Sequence, residues 1–224
     1  MKNFFLLIPA VIFFFSASVT AQINDSGGHS KMLLTTKKSN VLNEVEGSHF
    51  LDEEFKKGKV LIKGYDSLDA LLRYDINTET FEIKLEKTGE DIYVLPLNLE
   101  TKYYLDSDLY TYQTINFEGN EITGYFLNHY AGDKISFLEK PYLTVTDAVK
   151  AKTGYEKDKP AQIRLKKDYY IVLNDGSVKN VSLKEKDFER ALPSNPAIKK
   201  YLSDHKLKSP EDFSKFVAWY DNQQ

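Results

Sequence analysis

The chain contains no cysteine. That excludes disulfide staples, thiol catalysis, zinc centres built on thiolates and a lipid-modified cysteine behind an export signal. Histidine is scarce: His29, His49, His129 and His205 are scattered along 224 residues, and none forms a His-x-x-x-His pair that would set two ligands on one helix face. No metal and no other cofactor is expected. A Gly-x-Ser-x-Gly nucleophile elbow is missing, and Gly27-Gly28 is not followed by the Lys-Ser/Thr step of a phosphate-cradling loop. No residue is therefore marked as catalytic. Nor does one sign of charge dominate. The 30 Lys and Arg against 33 Asp and Glu give a net −3, which argues against nucleic acid as a partner and against a polybasic membrane patch.

What is present begins with 42% hydrophobic and 28% charged residues, a composition that folds. Residues 1–21 carry Lys2, an apolar run over 4–15 and the small-residue end Ser16-Ala17-Ser18-Val19-Thr20-Ala21, the three regions of a signal peptide. The apolar run is too short for a spanning helix and contains Pro9. Cleavage after Ala21 leaves 203 residues, enough for one core. The mature chain is then expected outside the cytoplasm, in the periplasm, at the outer membrane or secreted, without a transmembrane segment. Residues 22–48, with Gly27-Gly28 and a polar tract over 35–40, read as a flexible leader; 41–46 fit a turn of helix or a strand equally well. Residues 49–224 read as a single β-rich domain whose tail, 184–224, is helical.

Period-two alternation carries the strand assignment. Leu68, Ala70, Leu72, Tyr74 and Ile76 share one face, and Phe81, Ile83 and Leu85 alternate with charged neighbours after the turn Asn77-Thr78. Further runs cover 59–63, 92–97, 109–117, 122–130, 134–138, 163–167, 169–173 and 177–183, separated by Gly, Asn and Asp breakers. Turns this frequent, with no helix between strands, require antiparallel pairing, since parallel neighbours need long crossovers. The expected fold is mainly β (α+β), a curved antiparallel meander-like sheet with two or three short C-terminal helices packed on it. The pattern does not decide between a barrel-like curl and a sandwich.

In the tail, Leu192-Pro193 ends a helix over 184–191, Asn195-Pro196 opens a second, and Ser209-Pro210-Glu211-Asp212 opens a third with acids at the positive end of its dipole. Phe213, Phe216, Val217 and Tyr220 share a face of the third, off which Trp219 lies.

Gly47-Ser48-His49-Phe50-Leu51-Asp52-Glu53-Glu54-Phe55, then Leu72-Arg73-Tyr74-Asp75, Phe81-Glu82-Ile83, Gly124-Tyr125-Phe126 and Tyr169-Tyr170 give a pattern that resembles exported Bacteroidetes proteins without an assigned activity. The resemblance runs from Gly47 to the C-terminus. It implies export and one β-rich domain with C-terminal helices, and it carries no site residues.

Acidic residues recur, but Asp106-Ser107-Asp108 fails as a calcium loop, with Thr111 where glycine and Phe117 where glutamate is required. The tyrosines stand out, 15 beside 14 phenylalanines. Aromatic residues suit half-buried strands, and tyrosine also favours interfaces. Tyr110, Tyr112, Tyr125 and His129 are accordingly the candidate ligand-binding residues. The expected function is non-enzymatic, the binding of an envelope protein or small ligand on an aromatic sheet face or in a sheet-helix cleft. Two alternatives are a secreted hydrolase with a dispersed His/carboxylate site and an assembly protein that pairs through a sheet edge.

Overall fold

The computed structural model describes residues 20–22, 33–36, 45–85, 91–96, 100–151 and 157–223. The residues expected to form an export signal, apart from Thr20 and Ala21, and most of those expected to form a leader lie outside the described residues. The strands are β1 (Thr20–Gln22), β2 (Leu33–Thr36), β3 (Val45–Glu46), β4 (Lys56–Ile62), β5 (Leu68–Asp75), β6 (Thr80–Lys84) and β7 (Ile92–Val94). They continue with β8 (Thr101–Leu105), β9 (Asp108–Phe117), β10 (Asn120–Ala131), β11 (Ile135–Thr146), β12 (Ala161–Leu173) and β13 (Val178–Val181). Three helices follow, α1 (Glu185–Ala191), α2 (Pro196–Asp204) and α3 (Pro210–Asp221). No helix among the described residues is long and apolar enough to cross a membrane.

All strands join one sheet in the order β1-β2-β7-β6-β5-β4-β8-β9-β10-β11-β12-β13, antiparallel throughout except that β3 pairs parallel with the start of β12. The expected curved meander with C-terminal helices is what forms. Its curvature can be read from ring contacts. Phe81 on β6 and Tyr103 on β8 are three strands apart, about 14 Å in a flat sheet. Their rings nevertheless stack at 4.2 Å. Tyr74 on β5 and Tyr125 on β10, four strands apart, meet at 5.8 Å. The sheet therefore curls around an aromatic core, and Val60, Leu72, Ile83 and Leu105 complete it.

The same concave face continues onto β10–β12, where the helices cover it. Phe137, Ile171 and Val181 pack against Phe188 of α1, Ile198 and Leu202 of α2, and Phe213, Phe216 and Val217 of α3. The helix ends follow from their caps: Asn195 accepts from the Ala197 N–H at 2.8 Å, and Ser209 and Asp212 form a reciprocal capping box. Asp221 near the end of α3 ties it to the β10–β11 turn, accepting from the Lys134 N–H at 2.7 Å and the Tyr130 hydroxyl at 3.0 Å. Trp219, off the main stripe, lies against Tyr201 of α2 at 4.5 Å. A third cluster, Ile115, Phe126, Leu138 and Tyr170, fills the opposite face of β9–β12.

Three strands depart from the sequence reading. The run expected to stop at Leu138 extends to Thr146, and 163–167 and 169–173 are one strand. Pro141 reads as a breaker because it donates no ladder bond. It is tolerated because β10 pairs with β11 only as far as Glu139, so no donor is needed at Pro141 on that side. The strand Thr101–Leu105, absent from the runs expected from alternation, bridges β4 and β9.

Candidate functional site

The four candidate residues fall in two places. Tyr110, Tyr112 and Tyr125 come together. Tyr125 opposes Tyr112 across the β9–β10 ladder, with rings at 5.1 Å, and meets Phe81 edge-on at 5.1 Å. Tyr110 and Tyr125 are only 2% and 3% exposed, and Tyr112 is half-buried against them. The aromatic side of β9 thus faces the interior of the curl, not solvent, and a ligand there would have to displace core. The hydroxyls of Tyr103 and Tyr125 bond to each other, and burial pushes Tyr125 up to about 12.

His129 lies elsewhere. Leu127 opposes Glu139 and Asn128 opposes Leu138, but Tyr130 opposes Phe137, so His129 is the extra residue of a β-bulge. Such a bulge re-aims its side chains. Asn128 pins this one by donating to the Leu109 carbonyl and to Thr111 Oγ1. The His129 ring stacks on Phe137 at 4.9 Å, and its Nε2 reaches Glu139 Oε2 at 2.9 Å. Glu139 is 2% exposed and also takes Lys167 Nζ at 2.8 Å on its other oxygen, and the Tyr169 hydroxyl bonds to it too. Burial pushes the Glu139 carboxyl up, but His129 and Lys167 outweigh that and hold it below the usual range. Tyr169 is pushed up to about 12 by burial and by that carboxylate. Asp108, at the near end of β9, is raised by desolvation, with His129 opposing and Glu139 assisting.

The arrangement is a polar seam between the aromatic core and the helix-covered core. Its chemistry is that of a tie. Both Glu139 oxygens are engaged, and the nearby Ser214 hydroxyl of α3 donates to the His129 carbonyl at 2.6 Å rather than to the ring. Neither Glu139 nor Lys167 was marked by the sequence; a glutamate following the apolar stretch Ile135–Leu138 was the available signal.

A second carboxylate, Glu79, whose side chain is 35% exposed, sits in the β5–β6 turn with a left-handed φ of 52°. Before Leu127, β10 pairs only with β9, and after Glu139, β11 pairs only with β12, so the two strands fork. Glu79 fills the fork. It accepts from the Tyr125 N–H at 3.2 Å and the Tyr74 hydroxyl at 2.5 Å, and it pairs with Lys140. Gly124 makes this possible, since a Cβ there would lie 2.3 Å from Lys140 Nζ.

Beyond the fork, β11 and β12 continue together as a ribbon, with β3 paired in parallel beside the start of β12 at Ala161 and Gln162. From Glu139 to Thr146 it runs roughly 23 Å at the usual strand rise. Its outer part is closed by Val149 and Lys159, which exchange main-chain hydrogen bonds at 2.9 and 2.8 Å. Among the described residues, the exposed large hydrophobics are Tyr65 at 38%, Tyr142 at 37%, Val145 at 64%, Val149 at 51% and Leu165 at 36%. Four of these five are on the ribbon. The alternation Tyr142-Leu143-Thr144-Val145-Thr146 was the legible sign of this strand, and Pro141 before it hid it.

No family model, no curated protein and no solved structure matches this chain.

Proposed function

We propose that this is a non-enzymatic protein exported to the bacterial envelope, and that it binds its target through the outer part of the β11–β12 ribbon. The observation that carries the reading is the concentration of exposed apolar side chains there, while Tyr74, Phe81, Tyr103, Tyr110 and Tyr125 are spent on the core. Exposed apolar groups clustered on one element mark contact surfaces, whereas scattered ones need no explanation. The signal-like residues 1–21 support export.

The cysteine-free chain makes the test clean. A Val145→Cys variant carrying a photo-activated cross-linker is exposed to envelope extract, with Tyr65→Cys as the control on the body. Light-dependent adducts at position 145 and not at 65 are expected; equal labelling, or none at 145, refutes the ribbon as the contact.

The hydrolase alternative has one supporting observation, the convergence of His129 and Glu139. It requires a His129→Asn variant to abolish a measurable hydrolysis, whereas the tie reading requires that substitution to alter stability alone.

A further inference from the structure

We infer that the ribbon's target is an extended polypeptide segment of alternating apolar and acidic residues, which adds as a strand to the open edge of β11. The inference rests on the ribbon reading and names the chemistry of its partner.

Main-chain geometry is the first support. The Asn174 N–H donates to the Lys134 carbonyl and the Gly132 N–H to the Ile135 carbonyl, so at the start of β11 even-numbered residues turn their polar groups to β12 and odd-numbered ones to β10. The β11–β12 register runs unbroken from Ile135 to Thr146, which carries that alternation along the ribbon. Past Glu139, β10 no longer pairs with β11. The Pro141 carbonyl and the N–H and C=O groups of Leu143 and Val145 therefore point to the side that β10 has left, and among the described residues no hydrogen bond reaches them. Polar groups repeating at every second residue of an open strand are matched by another extended backbone. Glu79 closes the inner end by accepting from the Tyr125 N–H and pairing with Lys140, so the added strand lies against residues 141–146.

Side-chain placement is the second support. The register sets Leu143 and Val145 on one face with Leu165 and Ile163, and Tyr142 and Thr144 on the other with Lys166 and Arg164. The first face is apolar, with Val145 its most open member, and the second carries two exposed cations. Asp168, the acid on that second face of β12, opposes Lys140 at the inner end. A strand with apolar residues on one face and carboxylates on the other complements both. Its carboxylates lie two strand spacings, about 10 Å, from β12, a gap that long Lys and Arg side chains span across Thr144. A second copy of β11 offers no such match, because residues 141–146 carry no charge.

The experiment follows amide hydrogen exchange by NMR in the protein as recovered from an exporting bacterial host, alone and with a capped octapeptide alternating valine and glutamate. Without peptide, the Leu143 and Val145 amides should exchange at least about tenfold faster than those of Tyr142 and Thr144. The peptide should slow both, and an octapeptide alternating valine and lysine should not. Val145→Pro removes an edge donor but no bond to β12, and Arg164→Glu/Lys166→Glu reverses the charged face. Each is expected to weaken the peptide's effect on the Leu143 amide about tenfold, with the Tyr142 and Thr144 amides still slow. Leu143 and Val145 amides that are slow without peptide, no slowing at millimolar peptide, equal slowing by the lysine peptide, or an effect that survives both variants overturns the inference. Slowing that appears with protein concentration alone makes the occupant a second copy and also overturns it. If the peptide fails while the cross-linker at Val145 captures a discrete protein, the strand inference falls and the ribbon reading stands. If neither is seen, both fall.

Discussion

The aromatic curl and the ribbon are built from the same strand alphabet, yet they meet opposite fates. Tyr125 opposes Tyr112 on β10 and β9, and curvature brings Tyr74, Phe81 and Tyr103 over them from β5, β6 and β8. Tyr142 opposes Lys166 and Leu143 opposes Leu165 on β11 and β12, and among the described hydrophobic residues of the ribbon past the fork it is Leu143, at the inner end, that packs against the curl. Alternation says which residues share a face; whether that face is buried depends on which distant strand returns to cover it. The fork held by Glu79 is where the two regimes part.

The largest expected effect that would break this contrast is in the curl. Phe81→Ala or Tyr125→Ala removes a ring that meets several others, and large aromatic-to-alanine changes in cores cost about 3–5 kcal/mol. Val145→Ala or Leu165→Ala should stay within about 0.5 kcal/mol. Urea unfolding of the four variants measures both; a ribbon variant as costly as a core one would mean the ribbon is part of the core.

Next in size is the fork. Glu79→Ala strands the Tyr125 N–H and the Lys140 ammonium, groups whose unsatisfied burial costs about 1–3 kcal/mol. Equilibrium unfolding should show that loss, and hydrogen exchange should show the Tyr125 amide opening more than its neighbours. An unchanged Tyr125 amide would remove Glu79 from its role.

The seam gives a smaller effect that depends on pH. The Glu139 carboxyl is held below its ordinary value, so its contribution is present above the unfolded-state value and is lost as pH falls through the folded one. Acid unfolding should therefore flatten in a Glu139→Gln variant below pH about 4.5, the ordinary range of a glutamate. The smallest effect has the opposite sign. Asp108 is raised by desolvation, so ionising it opposes folding, and Asp108→Asn should be slightly more stable than the parent at pH 7 in a thermal melt. A less stable Asp108→Asn variant would contradict the desolvated placement of that carboxyl.

Local signals were legible in the sequence where they act locally. Asn195-Pro196 and Ser209-Pro210 mark helix starts because caps are set by neighbouring residues, and the 68–76 and 80–85 alternations mark a hairpin for the same reason. Nonlocal features were hidden. Nothing near Glu79 announces that it will meet Lys140, 61 residues away. The bulge at His129 becomes visible only once Asn128 is seen donating to Leu109 and Thr111. Tyr110 and Tyr125 illustrate the same limit, since a tyrosine on a strand suits an interface or a core until the curvature is known.

The most direct test of the account attaches a polarity-sensitive fluorophore to Val149→Cys and, separately, to Tyr65→Cys in this cysteine-free chain, and adds envelope extract. A blue shift at position 149 with none at 65 is the predicted result, placing the outer part of the ribbon and not the body against the target. No shift at 149, or the same shift at both positions, would contradict it.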